Sequence, residues 1–123
     1  MTNHFVFVYG TLKQGKGNNW ILAKAGYKEA HFVRPDQVYG RMFNLGSYPA
    51  VTEGTDAIQG ELWRVSNQIL ERLDQFEGVP HLYSRLATRT FNGTKCWIYM
   101  MPGLYKNQKT PRKATYIPSG IWE

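Results

Sequence analysis

Hydrophobic positions along the chain fall into three kinds of pattern, and each predicts a different element. Phe5-Val6-Phe7-Val8-Tyr9 is an unbroken apolar run, which predicts a central strand covered on both faces, since a strand wet on one side would alternate. The run gives way abruptly to Gly10-Thr11-Leu12-Lys13-Gln14-Gly15-Lys16-Gly17-Asn18, a stretch of glycines, a hydroxyl and amides. This predicts a ligand loop, because glycines let the backbone come close to a ligand and the exposed N–H groups of such a turn can cradle an anion or oxyanion. Asn18 stands where a helix N-cap belongs, so residues 18–25 predict a short helix ended by Gly26.

Weaker alternation follows. It predicts strands over 27–33 and 38–45, separated by a break at Arg34-Pro35-Asp36, then a short extended piece over 48–51, a turn at Glu53-Gly54-Thr55-Asp56 and a strand over 57–65. The helical period is clearest over 68–77, stopped by Gly78 and Pro80. At about 100° per residue, Ile69, Leu70, Leu73 and Phe76 share one arc while Gln68, Glu71, Arg72 and Gln75 lie opposite. Glu77 falls inside the apolar arc, one turn beyond Leu73, and so is expected to face the core or a cavity. Strands over 82–91 and 95–101 are joined by Asn92-Gly93, a strong hairpin signal. The segment from about 102 reads as irregular, with the apolar residues of 117–122 docking back on the body. Six strands and two helices in the order β-α-β-β-β-α-β-β predict an α+β fold, a small mixed β-barrel or curled sheet.

Length and composition narrow the picture. A chain of 123 residues fits one domain, 1–123, and 15% aromatic residues need a core or a pocket wall to absorb them. The lone cysteine, Cys96, excludes an intramolecular disulfide and points to a reducing compartment, with a buried inert thiol as the default. Neither a signal-peptide succession nor an apolar run of about 18 residues is present, so a cytoplasmic protein without a membrane partner is expected. The net charge of +6 raises nucleic acid as a partner. Only Lys106, Lys109, Arg112 and Lys113 cluster, however, and a solvated polar loop accounts for them, so no specific nucleic-acid binding is expected.

Several chemistries can be weighed at the residues themselves. From Gly10 the chain runs Gly-x-x-x-x-Gly-Lys, but Gly17 occupies the position where a P-loop needs Ser or Thr for magnesium. His4, His31 and His81 lack zinc-like spacing, and a Gly-x-Ser-x-Gly elbow is absent. Glu77 has the strongest claim to chemistry. Burial on an apolar arc and the negative end of its helix both raise a carboxyl pKa, as a general base near neutral pH requires. The competing reading is an ion pair with Arg85 or another cation at the helix end.

Taken in order, Val8-Tyr9-Gly10-Thr11-Leu12-Lys13 with Gly15 and Asn18, Tyr48-Pro49-Ala50, Gly60-Glu61-Leu62-Trp63-Arg64-Val65, Leu73-Asp74, Phe76-Glu77-Gly78 and Tyr83-Ser84-Arg85 form a series. This series resembles the successive motifs of the gamma-glutamylcyclotransferase-like superfamily, particularly its short gamma-glutamylamine cyclotransferase branch, over about residues 5–101. The resemblance implies a small mixed barrel with a cavity. It implies that Tyr9, Gly10, Thr11 and Leu12 hold a gamma-glutamyl group largely through main-chain contacts and that Glu77 is the acid/base. Tyr83 either lines the pocket and bonds substrate or packs, and Arg85 is structural. The implied reaction needs no cofactor: the substrate's α-amine attacks its own γ-carbonyl, releasing 5-oxoproline and an amine. The partner is then a small gamma-glutamyl compound, whether a gamma-glutamylamine, a gamma-glutamyl amino acid or a gamma-glutamylated intermediate. A non-catalytic binding module using the same cavity is the alternative function. Monomer and homodimer both remain open.

Overall fold

The structure, a computed structural model, describes residues 3–103 and 114–123. The opening apolar run becomes β1 (Asn3–Val8), and after the loop a single turn of helix follows, α1 (Trp20–Ala23). Two long strands come next, β2 (Ala30–Asn44) and β3 (Pro49–Ser66), then α2 (Asn67–Phe76), the hairpin β4 (Ser84–Arg89) and β5 (Lys95–Met100), and the short β6 (Thr115–Ile117). They form one mixed sheet in the order β4-β5-β1-β3-β2-β6, in which β1 runs antiparallel to β3 and parallel to β5.

The interior position of β1 explains its composition. Val6 and Val8 point into a core with Ile21 and Leu22 of α1 and Ile69, Leu70 and Leu73 of α2. Phe7 and Tyr9 point the other way, toward Val38, Met42, Val51, Ile58, Leu62 and Ile98. That second core contains strand residues and no helix residue, so the sheet must curl for its strands to pack on one another. Among the described residues the result is a curled half-barrel of six strands with two helices, an α+β fold. Full burial of each large side chain along β1 stabilises it by about 1.5–3 kcal/mol.

Four expectations need correction. The break at Arg34-Pro35-Asp36 is absent: β2 runs through it, with a register shift between Phe32 and Arg34, and Pro35 faces Glu61. Proline is tolerated there because β6 covers β2 only at Met42, Phe43 and Asn44, leaving that side of Pro35 without a strand, among the described residues, that needs its N–H. The turn expected over 53–56 is a bulge within β3: Gly40 faces Asp56 and Arg41 faces Thr52, which leaves Glu53, Gly54 and Thr55 unpaired on the β2 side. The two strands expected over 27–33 and 38–45 are therefore one, and the sixth strand is β6, inside the segment expected to be irregular from about 102. Three residues are too few to show a period, and the exposed edge of β2 organises them. Finally, α1 is capped by Asn19, without a side-chain cap bond, and not by Asn18.

Other expectations hold. Residues 92 and 93 turn the β4–β5 hairpin, with Gly93 at φ 87°. The C-terminus docks back: Ile117 and Trp122 pack on the second core, and the Gly120 carbonyl accepts from the Gln59 N–H. The basic cluster at Lys106, Lys109, Arg112 and Lys113 lies outside the described residues. Among the described residues no helix is long and apolar enough to cross a membrane.

Candidate active site

The loop after β1 is fixed from several sides. The Lys13 N–H donates to the Gly10 carbonyl (3.1 Å), and the Asn18 N–H donates to the Thr11 carbonyl (3.0 Å). Asn18 Nδ2 donates to Thr11 Oγ1 (2.9 Å), and Asn19 Nδ2 donates to the Leu12 carbonyl (2.8 Å). The Glu61 carboxylate on β3 accepts the Gln14 N–H at 3.0 and 3.2 Å and also accepts from Trp63 Nε1 at 3.1 Å. The two asparagines thus brace the loop from within, and Glu61 ties it to the sheet. The N–H groups of Gly10, Thr11 and Leu12 have no acceptor among the described residues.

These residues line a cavity of about 320 Å³, a volume suited to a small metabolite. Its wall is completed by Ser47 and Tyr48 just before β3, by Pro49 at its start, by Phe76 and Glu77 at the end of α2, by Leu82 and Tyr83 before β4, and by Tyr99 of β5. Gly10 lies against Pro49, where a Cβ would meet Pro49 Cγ at 2.8 Å. Its glycine identity comes from this contact and not from a left-handed φ, which the structure places at Gly15.

The phenols around the cavity are mostly committed to the protein. Tyr9 Oη donates to the Tyr99 carbonyl (2.7 Å) and accepts the Val51 N–H (3.2 Å), so it joins three strands. Tyr83 Oη donates to the Pro49 carbonyl (2.7 Å). Burial raises both phenol pKa values above the ordinary range, with the Glu77 charge a smaller contribution. Tyr99 Oη donates to Asp74 Oδ1 (2.7 Å), the same oxygen that pairs with Arg85 Nε at 2.9 Å. The Arg85 guanidinium also lies 4.3 Å from the centre of the Trp97 ring.

Glu77 is the C-cap residue of α2, and its N–H donates to the Leu73 carbonyl, while Gly78 follows at φ 65° to end the helix. Its half-buried carboxyl faces the cavity and has no hydrogen-bond or ion-pair partner among the described residues. The cation considered as its partner, Arg85, is engaged with Asp74 instead. Desolvation raises the Glu77 pKa to about 7.

Other groups stand apart from this cavity. His81 is exposed and does not line it, His4 bonds to Asn67, and His31 Nδ1 meets the Tyr27 carbonyl at 3.3 Å. The Cys96 thiol lies in the second core and burial pushes it up to about 12, which makes it a poor nucleophile. Among the described residues no three His, Cys, Asp or Glu side chains gather as metal ligands would. Sequence reasoning passed over Glu61 as a loop anchor and Asp74 and Tyr99 as the support of the α2 end. Glu61 shares its strand with Glu53, Asp56, Gln59 and Arg64, so no local signal singles it out.

The family model described as gamma-glutamyl cyclotransferase, AIG2-like, matches residues 6–123. A Vibrio cholerae protein that carries a provisional gamma-glutamylcyclotransferase name is 35% identical over 119 residues, covering 97% of this chain and 95% of that one. The gamma-glutamylaminecyclotransferase of Rattus norvegicus is 33% identical over 95 residues, covering 67% of this chain and 60% of that one. Among solved structures, an AIG2-like protein from Mus musculus superposes with a TM-score of 0.78 at 22% identity, covering 97% of this chain and 88% of the other, a likeness of fold. The chain belongs to the gamma-glutamyl cyclotransferase, AIG2-like family of enzymes.

Proposed function

We propose that this chain converts a gamma-glutamylamine, or a closely related gamma-glutamyl compound, to 5-oxoproline and a free amine, with Glu77 as the acid/base. The observation that carries the proposal is a half-buried carboxyl with a pKa near 7 and no cationic partner among the described residues, in the same cavity as three unpaired backbone N–H groups. A structural ion pair would hold such a carboxyl low. A base that must take a proton near neutrality needs it high.

The chemistry divides between the two walls. The N–H groups of Gly10, Thr11 and Leu12 bind the anionic or carbonyl oxygens of the gamma-glutamyl group, and the bulk of Leu12 and Tyr83 folds it. The α-ammonium loses a proton to Glu77, and its nitrogen attacks the γ-carbonyl carbon to close a five-membered ring. The carbonyl oxygen becomes an oxyanion, which fixed N–H donors stabilise more than they stabilise the neutral ground state. Collapse of that intermediate breaks the original C–N bond; Glu77 returns its proton to the departing amine, and the ring nitrogen sheds its second proton, which ends on the same amine as its ammonium. Atoms balance without water, since substrate and the two products differ only in bonding. Because nucleophile and electrophile belong to one molecule, holding the folded conformer removes much of the entropic barrier.

Tyr9 acts from behind this site. Its hydroxyl holds the strands that carry the loop, bonded to the Tyr99 carbonyl and the Val51 N–H, while the residue also lines the cavity. A cytoplasmic location suits the buried reduced thiol of Cys96 and completes the reading. The test is direct: incubation of purified protein with a mixed gamma-glutamyl library, followed by detection of 5-oxoproline. Release above a Glu77→Gln control is the expected result. Tight binding of a library member with no 5-oxoproline from any would show a binding module instead.

A further inference from the structure

The two ends of the cavity differ in chemistry. Its inner wall is buried, with Phe7, Val8, Leu12, Tyr83 and Tyr99 each at most 6% exposed. Its opening is formed by the exposed Ser47 together with three larger side chains, Tyr48, Phe76 and Leu82, which line the cavity and yet are 37%, 42% and 50% exposed. These three come from separate segments, before β3, at the end of α2 and before β4, and converge on one rim. Phe76 belongs to the apolar arc of α2, but at the helix end it turns to the rim while Leu70 and Leu73 go to the core. No Lys, Arg or His lines the cavity among the described residues, and Glu77 is its one carboxylate.

We infer that the amine released here is an apolar monoamine, alkyl or arylalkyl, whose hydrocarbon part sits on Tyr48, Phe76 and Leu82, and that these three residues determine leaving-group specificity. The inference rests on the cyclotransfer reading above and adds the class of substrate. With the gamma-glutamyl group held by the buried loop, the leaving group must extend toward the rim. A leaving group that is an amino acid or peptide would carry its own carboxylate there. It would be partly desolvated against Phe76, Leu82 and the Tyr48 ring, met at most by the neutral hydroxyls of Ser47 and Tyr48, with no cation lining the cavity among the described residues and with Glu77 repelling it. A second ammonium on the leaving group meets the same apolar rim, and its charge beside Glu77 would favour ionisation and weaken the base. A hydrocarbon chain gains from the same surroundings, by about fourfold in binding for each methylene taken fully out of water.

The experiment is a substrate series with one gamma-glutamyl group and varied amines: methyl, propyl, isopropyl, butyl and benzyl amides, gamma-glutamylalanine as the carboxylate-bearing counterpart of the isopropyl amide, and the 5-aminopentyl amide. The expected kcat/KM for 5-oxoproline release climbs from methyl to butyl and benzyl, and the isopropyl amide exceeds gamma-glutamylalanine by at least about tenfold. Leu82→Ser and Phe76→Ser are expected to lower the butyl-to-methyl ratio, a readout that a general loss of folded protein does not move. A preference for gamma-glutamylalanine or for the aminopentyl amide overturns the inference and leaves cyclotransfer standing. Release from none of the compounds overturns the cyclotransfer reading. Calorimetric titration of the same amides into Glu77→Gln protein then decides the rim separately: affinity rising with chain length supports it, and flat affinity overturns it.

Discussion

A methyl group at residue 10 would meet Pro49 Cγ at 2.8 Å and Cδ at 3.0 Å, so even the smallest side chain there must displace the start of β3 or move the loop. In the proposed binding mode the loop N–H groups must aim into the cavity. Gly10→Val is therefore expected to weaken binding of a gamma-glutamyl ligand by at least tenfold in calorimetry, and Thr11→Ala, which removes only the acceptor for Asn18 Nδ2, by much less. Undiminished ligand binding by Gly10→Val protein would remove the loop from the recognition site. Tyr9 illustrates a different role for a loop residue. Tyr9→Phe leaves the Val51 N–H and the Tyr99 carbonyl without their buried partner, which is expected to lower stability by about 1–3 kcal/mol in denaturant melts. The folded remainder should keep its turnover.

At the scale of elements, α2 is what brings Glu77 to the cavity, and both of its ends are secured. Ser66 Oγ accepts the Ile69 N–H (3.2 Å) at the start. Near the end, Asp74 binds Tyr99 and Arg85, which ties the last turn to β5 and β4. Asp74→Asn retains size but loses the charge that Arg85 faces. A lower melting temperature is expected, by a few degrees, together with a fall in kcat smaller than that of Glu77→Gln; an unchanged melt would show that the Asp74 pair contributes nothing. Much of this arrangement was legible from the chain. Unbroken apolarity announced β1 as central, and the helical period placed Glu77 on the wrong side for a solvated carboxylate. The partner of Arg85 was not legible, because Asp74 and Glu77 are both one turn or less from the helix end and only the position of β4 chooses between them. The continuity of β2 through Pro35 was hidden for a related reason: proline disrupts a strand according to what lies beside it, which local pattern does not encode. β6 depends on an edge that exists only after β2 and β3 have paired.

The whole molecule stores a trace of function in its pH dependence. Glu77 in the folded protein titrates near 7, against an ordinary glutamate value of 4.5. Between those values the folded state holds a proton that the unfolded state has lost, so this group makes stability fall as pH rises through the window, with no further change above it. Glu77→Gln should match the parent melting temperature at about pH 4 and exceed it at about pH 8, provided the carboxylate has no structural partner. The proposed reaction needs the opposite form, the ionised carboxylate, so on that reading the state that works is the less stable one. The most direct test of Glu77 as the base is therefore 5-oxoproline release measured from about pH 5 to 9 on parent and Glu77→Gln proteins of verified fold. The account predicts a parental kcat/KM that rises with pH through about 7, and a variant that lacks this rise and is slower by on the order of 10² to 10⁴ near pH 7. A Glu77→Gln protein that turns over at the parental rate would contradict it.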